Sequence, residues 1–369
     1  MRRGWGAEAS IRTFRINHNQ NRKGNKVSQM SFLPDFETDY KELHDLLNQA
    51  VQGHILMSAL ELKVFDQLAR PQSAGQLATV IGVPEQRCQV FLDTLTACGY
   101  ARKQGETYQN TLLSQRFLTN ASPAYIGDLL LESWKMLALP PESLAQWLKE
   151  GFPPSPDNEL DREELWGKMA HANAQYARTG LAQLAVEQIS SLPGFTAMGK
   201  MLDLGGGPGL VAMALAEANP NLEAVVLDQP AVAEVAREYI DKYGFSGRVR
   251  ALGADYARDD IGQGYDLVWA SATLNFYRDS LPIIFEKIYQ AMNPGGVFAC
   301  LQDGLTHQGT QPKDMVLSCF MAVLRGSMKN FHQGEIAQAM VEVGFTPVRS
   351  RTLDTSFGPM DLDLAVKPS

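Results

Sequence analysis

Apolar residues recur at helical spacing through the first part of the chain. Leu43, Leu46, Leu47, Val51, Ile55, Leu56, Leu60 and Val64 mark one long amphipathic helix between Asp39 and Leu68, interrupted near Gly53. The stretch from Ser73 to Ala78 reads as a short capped helix. Pro84 to Cys98 reads as a helix with Val90, Phe91, Leu95 and Cys98 on one face. Tyr100–Lys103 and Thr107–Thr111 flank Gly105 as a small hairpin, so three helices and a hairpin make a winged helix. Helical patterns return over 129–137, 142–150 and 163–192, separated by a Pro-rich loop at 151–156 that cannot be helix.

After Pro193-Gly194 the pattern changes to strands alternating with helices. Apolar runs at 200–204, 221–228, 249–252, 265–270 and 297–301 predict strands, helices are expected at 211–216, 281–292 and 335–343, and two β runs follow at 346–352 and 360–366. Repeated β/α units predict an α/β domain with a parallel, Rossmann-like sheet and right-handed crossovers. Ligands of such sheets sit at the carboxyl ends of the strands. The boundaries expected are a basic tail at 1–30, a winged-helix dimerisation domain at 31–120, a helical linker at 121–192 and the α/β domain at 193–369.

Composition alters this picture little. The 369 residues carry 45% apolar and 20% charged residues with a net charge of −8, ordinary for a globular protein and too acidic for a general nucleic-acid binder. No uninterrupted apolar run reaches membrane-spanning length, so no membrane partner is expected. Between Gln52 and Leu118 stand six basic and five acidic residues, and Arg87 is the lone cation of the would-be recognition helix. DNA binding needs clustered Lys and Arg, so the winged helix reads as a dimerisation scaffold. Cys88, Cys98, Cys300 and Cys319 have no metal-ligand spacing and read as thiols of a reducing cytoplasm, with no metal site. Residues 1–29 hold seven Arg/Lys against the single acid Glu8 and read as a disordered tail.

The chemistry concentrates at the run Asp203-Leu204-Gly205-Gly206-Gly207-Pro208-Gly209 between a strand and a helix. Glycines there admit a ligand close to the backbone, and the helix points its positive end at the same place. The dinucleotide fingerprint G-x-G-x-x-G fails, because Leu210 holds the sixth position. Asp228 ends the next strand 19 residues past Gly209, near the spacing at which a carboxylate meets a ribose diol. Asp255 and the segment from Ala270 to Asn275 fall at further strand ends.

These residues resemble the class I S-adenosylmethionine-dependent methyltransferases, and more narrowly the plant-type and bacterial small-molecule O-methyltransferases that include acetylserotonin and caffeate enzymes. The motifs are Asp203–Gly209, Leu227-Asp228-Gln229-Pro230, Gly253-Ala254-Asp255, Asn293-Pro294-Gly295-Gly296 and Val343-Gly344-Phe345. Trp134 and Leu137 ahead of the Pro-rich loop, and Met169 ahead of the glycine motif, fit as well. The resemblance covers roughly residues 35–369 and implies a seven-stranded sheet, a homodimer, S-adenosyl-L-methionine as cofactor and a small-molecule acceptor. It implies that Asp203, Gly205, Gly206, Gly207 and Gly209 face the methionyl part and Asp228 the ribose hydroxyls. Asp255 would meet the adenine amino group and Tyr256 its ring, with Gln229 and Ser271 at the same rim. Trp134, Trp166, Met169, Gln302 and Asn330 would line the acceptor pocket.

The chain departs from this family where acid/base chemistry is expected. The family's catalytic histidine falls on Asn275, and its two supporting carboxylates fall on Gln302 and Asn330. Carboxamides cannot remove a proton, although they hold hydrogen-bonding groups well. Three options follow: an acceptor that is already nucleophilic and needs only alignment, a displaced base, or a family member that binds the cofactor without methylating. Asp303 and His332 are the candidate displaced bases, with His171 a weaker one. A cofactor-sensing DNA-binding regulator is the rival from another class.

Overall fold

The computed structural model describes residues 40–137, 141–151, 159–326 and 329–369. The tail expected at 1–30 and residues 152–156 of the Pro-rich loop expected at 151–156 lie outside the described residues. Those described fall into two compact units, one ending at Val51 and one running from Gln52 to Ser369.

The amino-terminal elements are α1 (Lys41–Glu61), α2 (Val64–Gln67), β1 (Gln72–Ser73), α3 (Ala74–Ile81), α4 (Glu85–Ala97), β2 (Ala101–Gln104), β3 (Thr107–Asn110) and α5 (Leu112–Phe117). α1 passes through Gly53 without a break. The interruption comes at Lys63, whose left-handed backbone (φ 53°) turns the chain into α2. Ser73 and Gln76 form a reciprocal capping box that starts α3. Strands β2 and β3 pair antiparallel around Gly105, and β1 adds a third strand that the sequence pattern did not announce. Phe65, Leu68, Leu77, Leu92, Leu95 and Tyr108 fill the core between them.

Next come α6 (Gly127–Leu137), α7 (Pro141–Glu150), α8 (Glu159–Tyr176) and α9 (Ala182–Ser190). The periodicity across 163–192 predicts one helix. Instead α8 and α9 are separated by a π turn at Ala177–Leu181, a local widening of the kind helices show beside functional sites.

The remaining chain alternates: β4 (Lys200–Leu204), α10 (Leu210–Ala218), β5 (Glu223–Asp228), α11 (Pro230–Lys242), β6 (Val249–Gly253), β7 (Tyr265–Ser271), α12 (Leu281–Ala291), β8 (Met292–Gln302), α13 (Lys313–Leu324), α14 (Glu335–Glu342), β9 (Val348–Thr355) and β10 (Gly358–Val366). The seven strands lie in the order β6-β5-β4-β7-β8-β10-β9. The first five are parallel, while β10 and β9 close the edge as an antiparallel hairpin. Asn293 to Gly296 belong to β8, whose register shifts between Tyr265 and Leu267 of its partner.

The central strands are apolar along their whole length because both faces are covered. Met201, Val226, Leu267, Trp269 and Ala299 pack toward α9, α10 and α11, and Leu202, Leu227, Val268, Phe298 and Cys300 toward α12 and α14. The strand order reverses between β4 and β7, which leaves a crevice beyond their carboxyl ends.

Candidate active site

The glycine turn between β4 and α10 is built for close packing. Gly205 takes a left-handed backbone (φ 63°), and a Cβ there would strike the Thr273 hydroxyl. A Cβ on Gly206 would lie 2.6 Å from the Asp203 carboxyl carbon. Gly207, also left-handed (φ 54°), faces open space instead. The turn's N–H groups are spent inside the protein: Gly205 N donates to the Leu227 carbonyl at 2.8 Å, Gly209 N to that of Gly206 at 3.0 Å, and Gly207 N to Asp228 Oδ2 at 2.8 Å. The turn is fixed in advance, and Gly207 is where a ligand finds room.

Two acids brace this turn. Asp203 Oδ2 accepts from Ala212 N, in the first turn of α10, at 3.3 Å. Burial pushes the Asp203 carboxyl up to about 7; the Ala212 N–H opposes this and the nearby Asp228 charge adds to it. Asp228 accepts from Gly207 N and, at 2.7 Å, from Gln229 N, yet burial still raises it above the usual carboxylate range. Each of its oxygens keeps a lone pair for a further donor.

Past Asp228 the rim is aromatic. Gln229 Nε2 donates to Tyr277 Oη at 3.1 Å, and the Tyr277 and Tyr256 rings lie 4.7 Å apart. Tyr256 is buried, with its hydroxyl 2.8 Å from Thr273 Oγ1. Asp255 heads the turn that follows β6, accepting from Ala257 N at 3.0 Å, with Arg258 Nε 3.6 Å from its other oxygen. Ser271 ends β7, and the next residue, Ala272, is held in a left-handed conformation (φ 50°) that alanine rarely adopts. Strain of this kind gathers at working sites.

Where β7 and β8 end, Asn275, Gln302 and Asp303 form one buried network. Asn275 Nδ2 donates to Asp303 Oδ1, and Gln302 Nε2 donates both to Asn275 Oδ1 and, at 3.0 Å, to Asp303 Oδ1. Phe331 N donates to Asp303 Oδ2 at 3.0 Å, and Lys329 N to the Asn275 carbonyl at 3.1 Å. Asn330 is thus strapped over the network by both neighbours. Burial raises the Asp303 carboxyl, against the pull of these N–H donors. Two buried acceptors, Gln302 Oε1 and Asn330 Oδ1, have no donor among the described residues.

Other expected residues divide. Trp166 on α8 meets Phe276, the residue after Asn275, edge to face at 5.3 Å. Met169, one turn further along α8, is half-buried. Trp134 does not join this group: it packs on Gly53 and, at 5.1 Å, on the His54 ring, in the amino-terminal core. His332 is exposed, its backbone N–H held at 3.0 Å by Glu335 Oε2, and it makes no contact with the amide network. His171 lies on the outer side of α8, 3.9 Å from Glu238 of α11. Thr273, Phe276 and Tyr277 were not singled out from the sequence. Their nearness to Asn275 in the same strand-end segment was the one available signal.

Comparison with known proteins agrees with this fold. A family model described as an O-methyltransferase domain matches residues 167–346, and one described as an O-methyltransferase dimerisation domain matches residues 44–120. Among curated relatives, the N,N-dimethyltransferase OxyT of Streptomyces rimosus is 26% identical over 331 residues, covering 86% of this chain and 93% of that protein. An O-methyltransferase family protein from Burkholderia thailandensis superposes with a TM-score of 0.76 at 22% identity, covering 90% of this chain and 99% of the other. Human N-acetylserotonin methyltransferase, solved in complex with SAM, gives a TM-score of 0.70 at 21% identity over 91% of this chain and all of that one.

Proposed function

Because the chain belongs to the S-adenosylmethionine-dependent O-methyltransferase family, we propose that it transfers the methyl group to a small organic acceptor without a general base. The observation that carries this reading is the amide network. Asn275 and Gln302 both donate to Asp303, and all three are buried, so the two amides where a hydroxyl would lose its proton cannot take one, and the single carboxylate there already holds three N–H donors. Asp303 is itself occupied on both oxygens. His332 and His171 stand elsewhere. Catalysis then rests on holding an already nucleophilic atom in line with the methyl group.

The residues present suit the cofactor. S-adenosylmethionine is positively charged at sulfur and at its ammonium, and the buried Asp203 and half-buried Asp228 put two carboxyls beside the opening at Gly207, whose ionised forms that charge favours. Asp228 retains acceptor capacity for the ribose hydroxyls. The Tyr256–Tyr277 pair and Asp255 stand where an adenine would lie, with Gln229 and Ser271 at its edge. When bound, the cofactor supplies an electrophilic methyl group. Trp166, Met169, Phe276, Gln302 and Asn330 would then form the acceptor side.

In this reading the region 31–120 pairs two subunits, 121–192 roofs the acceptor pocket and 193–369 holds the cofactor. The match to a dimerisation domain supports a homodimer and leaves the DNA-binding regulator unsupported. Among the described residues no helix is long and apolar enough to cross a membrane, and the four cysteines are unpaired, which supports a cytoplasmic setting. Incubation with methyl-labelled cofactor and a panel of phenols, enols, thiols and amines tests the proposal. Label is expected in at least one acceptor class. Cofactor binding with no label in any class would refute methyl transfer and favour a non-methylating relative.

A further inference from the structure

Gln302 and Asn330 hold information about the acceptor that the family resemblance lacks. Gln302 is 1% exposed, and the orientation of its amide is forced. Its Nε2 faces two oxygens, Asn275 Oδ1 and Asp303 Oδ1, and turning the amide over would set a third oxygen against them. Oε1 is therefore an acceptor without a donor among the described residues, and so is Asn330 Oδ1 on the overlying segment. Buried acceptors are rarely left unmatched, so each calls for a donor from the bound molecule.

We propose that the acceptor is a weakly basic aromatic amine whose N–H groups are received by Gln302 Oε1 and Asn330 Oδ1. This rests on the methyl-transfer reading and narrows it. A phenolate, thiolate or enolate would bring negative charge against two carbonyl oxygens and toward the buried Asp303 carboxyl. A neutral phenol could donate its O–H but would have to lose that proton, and the one carboxylate nearby, Asp303, is buried and already engaged by three N–H donors. An aromatic amine meets both conditions. It is neutral without help from a base, since its lone pair is free, and it keeps an N–H for the amides throughout. The edge-to-face pair of Trp166 and Phe276, 37% and 43% exposed, offers the ring an apolar wall beside Asn275. In the transfer the nitrogen lone pair forms the new N–C bond, and the electron pair of the breaking C–S bond stays on sulfur. Positive charge appears on nitrogen with its hydrogen still in place. That N–H is held by Gln302 Oε1, and the proton passes to solvent when the product leaves.

The test is a matched set of ring compounds carrying an amine, a hydroxyl or a thiol at the same position, assayed with methyl-labelled cofactor on the full-length protein. The amine is expected to be labelled on nitrogen with kcat/KM at least about tenfold above the phenol and the thiol, because a site built to receive a hydrogen bond discriminates strongly. Gln302→Met keeps the shape and removes the acceptor together with the Nε2 donor to Asn275 and Asp303. It should lower kcat/KM for the amine by about ten- to a hundredfold while cofactor affinity stays within about twofold and the preference for amine shrinks. A preference for phenol or thiol, or an unchanged amine-to-phenol ratio in the variant, would overturn the proposal. Absence of label in every compound would instead overturn methyl transfer itself. If Gln302→Met no longer binds cofactor, Asn330→Leu, on the half-buried segment, poses the same question with the same two outcomes.

Discussion

Asp203 shows how one side chain serves both packing and binding. It is 2% exposed, it holds the first turn of α10 through Ala212, and its carboxyl is pushed up to about 7, chiefly by burial. In the unfolded chain an aspartate titrates near ~4. Between those values the folded protein keeps a proton that the unfolded chain has lost, so stability falls as pH rises from about 4 to 7 and levels off above. Thermal melts of the cofactor-free protein are expected to show this decline, and Asp203→Asn to flatten it. An equal slope in the variant would refute the assignment. Cofactor should also flatten it, since positive charge favours the ionised acid. Asp228 makes a second prediction at this scale. Asp228→Ala strips the acceptor from the Gly207 and Gln229 N–H groups as well as the contact for a ribose. Cofactor Kd by calorimetry should rise at least about tenfold; unchanged affinity would place the cofactor elsewhere.

Elements divide into those that announce themselves and those that arise from tertiary contact. The strands of the parallel sheet were legible because burial on both faces demands continuous apolar runs, and their carboxyl ends because Asp203 and Asp228 stand at the ends of such runs and Asp255 just past one. α13 was not legible. Its apolar residues occupy its exposed side as well as its buried one: Met315 and Met321 are buried while Leu317, Phe320 and Val323 are exposed, which blurs the helical period. The π turn at Ala177–Leu181 left one trace in the sequence, Gly180, whose backbone departs from helical geometry there (φ 172°, ψ −46°). The site was read in the same uneven way. The strand-end acids and the amides at 275 and 302 stood out by position. The partnership of Tyr277 with Gln229, or of Phe276 with Trp166, is made only by folding. Gly53 carries the prediction at this scale. It suggested a break, yet α1 runs straight through, and the glycine is there because Trp134 lies against it: a Cβ would come within 2.7 Å of that ring. Alanine normally improves a helix interior by ~1 kcal/mol. Here Gly53→Ala should instead lower stability by about 1–3 kcal/mol, as overpacking does, read as a fall in the denaturation midpoint.

For the whole molecule, the apolar surface that remains exposed is the question. Within the segment matching a dimerisation domain, Val80, Val90, Leu112 and Leu113 are 61%, 63%, 83% and 52% exposed. Single exposed leucines are common, but Leu112 and Leu113 stand adjacent at the start of α5, behind the Thr111 cap, where a solvated helix would begin with polar residues. The homodimer proposed above would cover them with a second subunit. In a twofold assembly each substitution acts twice. Burying one leucine contributes ~1.5–3 kcal/mol, and placing a charge there adds a desolvation cost. Leu112→Glu is therefore expected to weaken the dimer by about a hundredfold or more. Sedimentation at two concentrations should find a monomer where the parent protein remains paired. Because an associated protein gains stability by mass action, the variant's melting temperature should also lose its dependence on concentration. A dimer of unchanged strength would mean that the pairing face lies on other residues of the 44–120 segment, with Leu112 left in solvent.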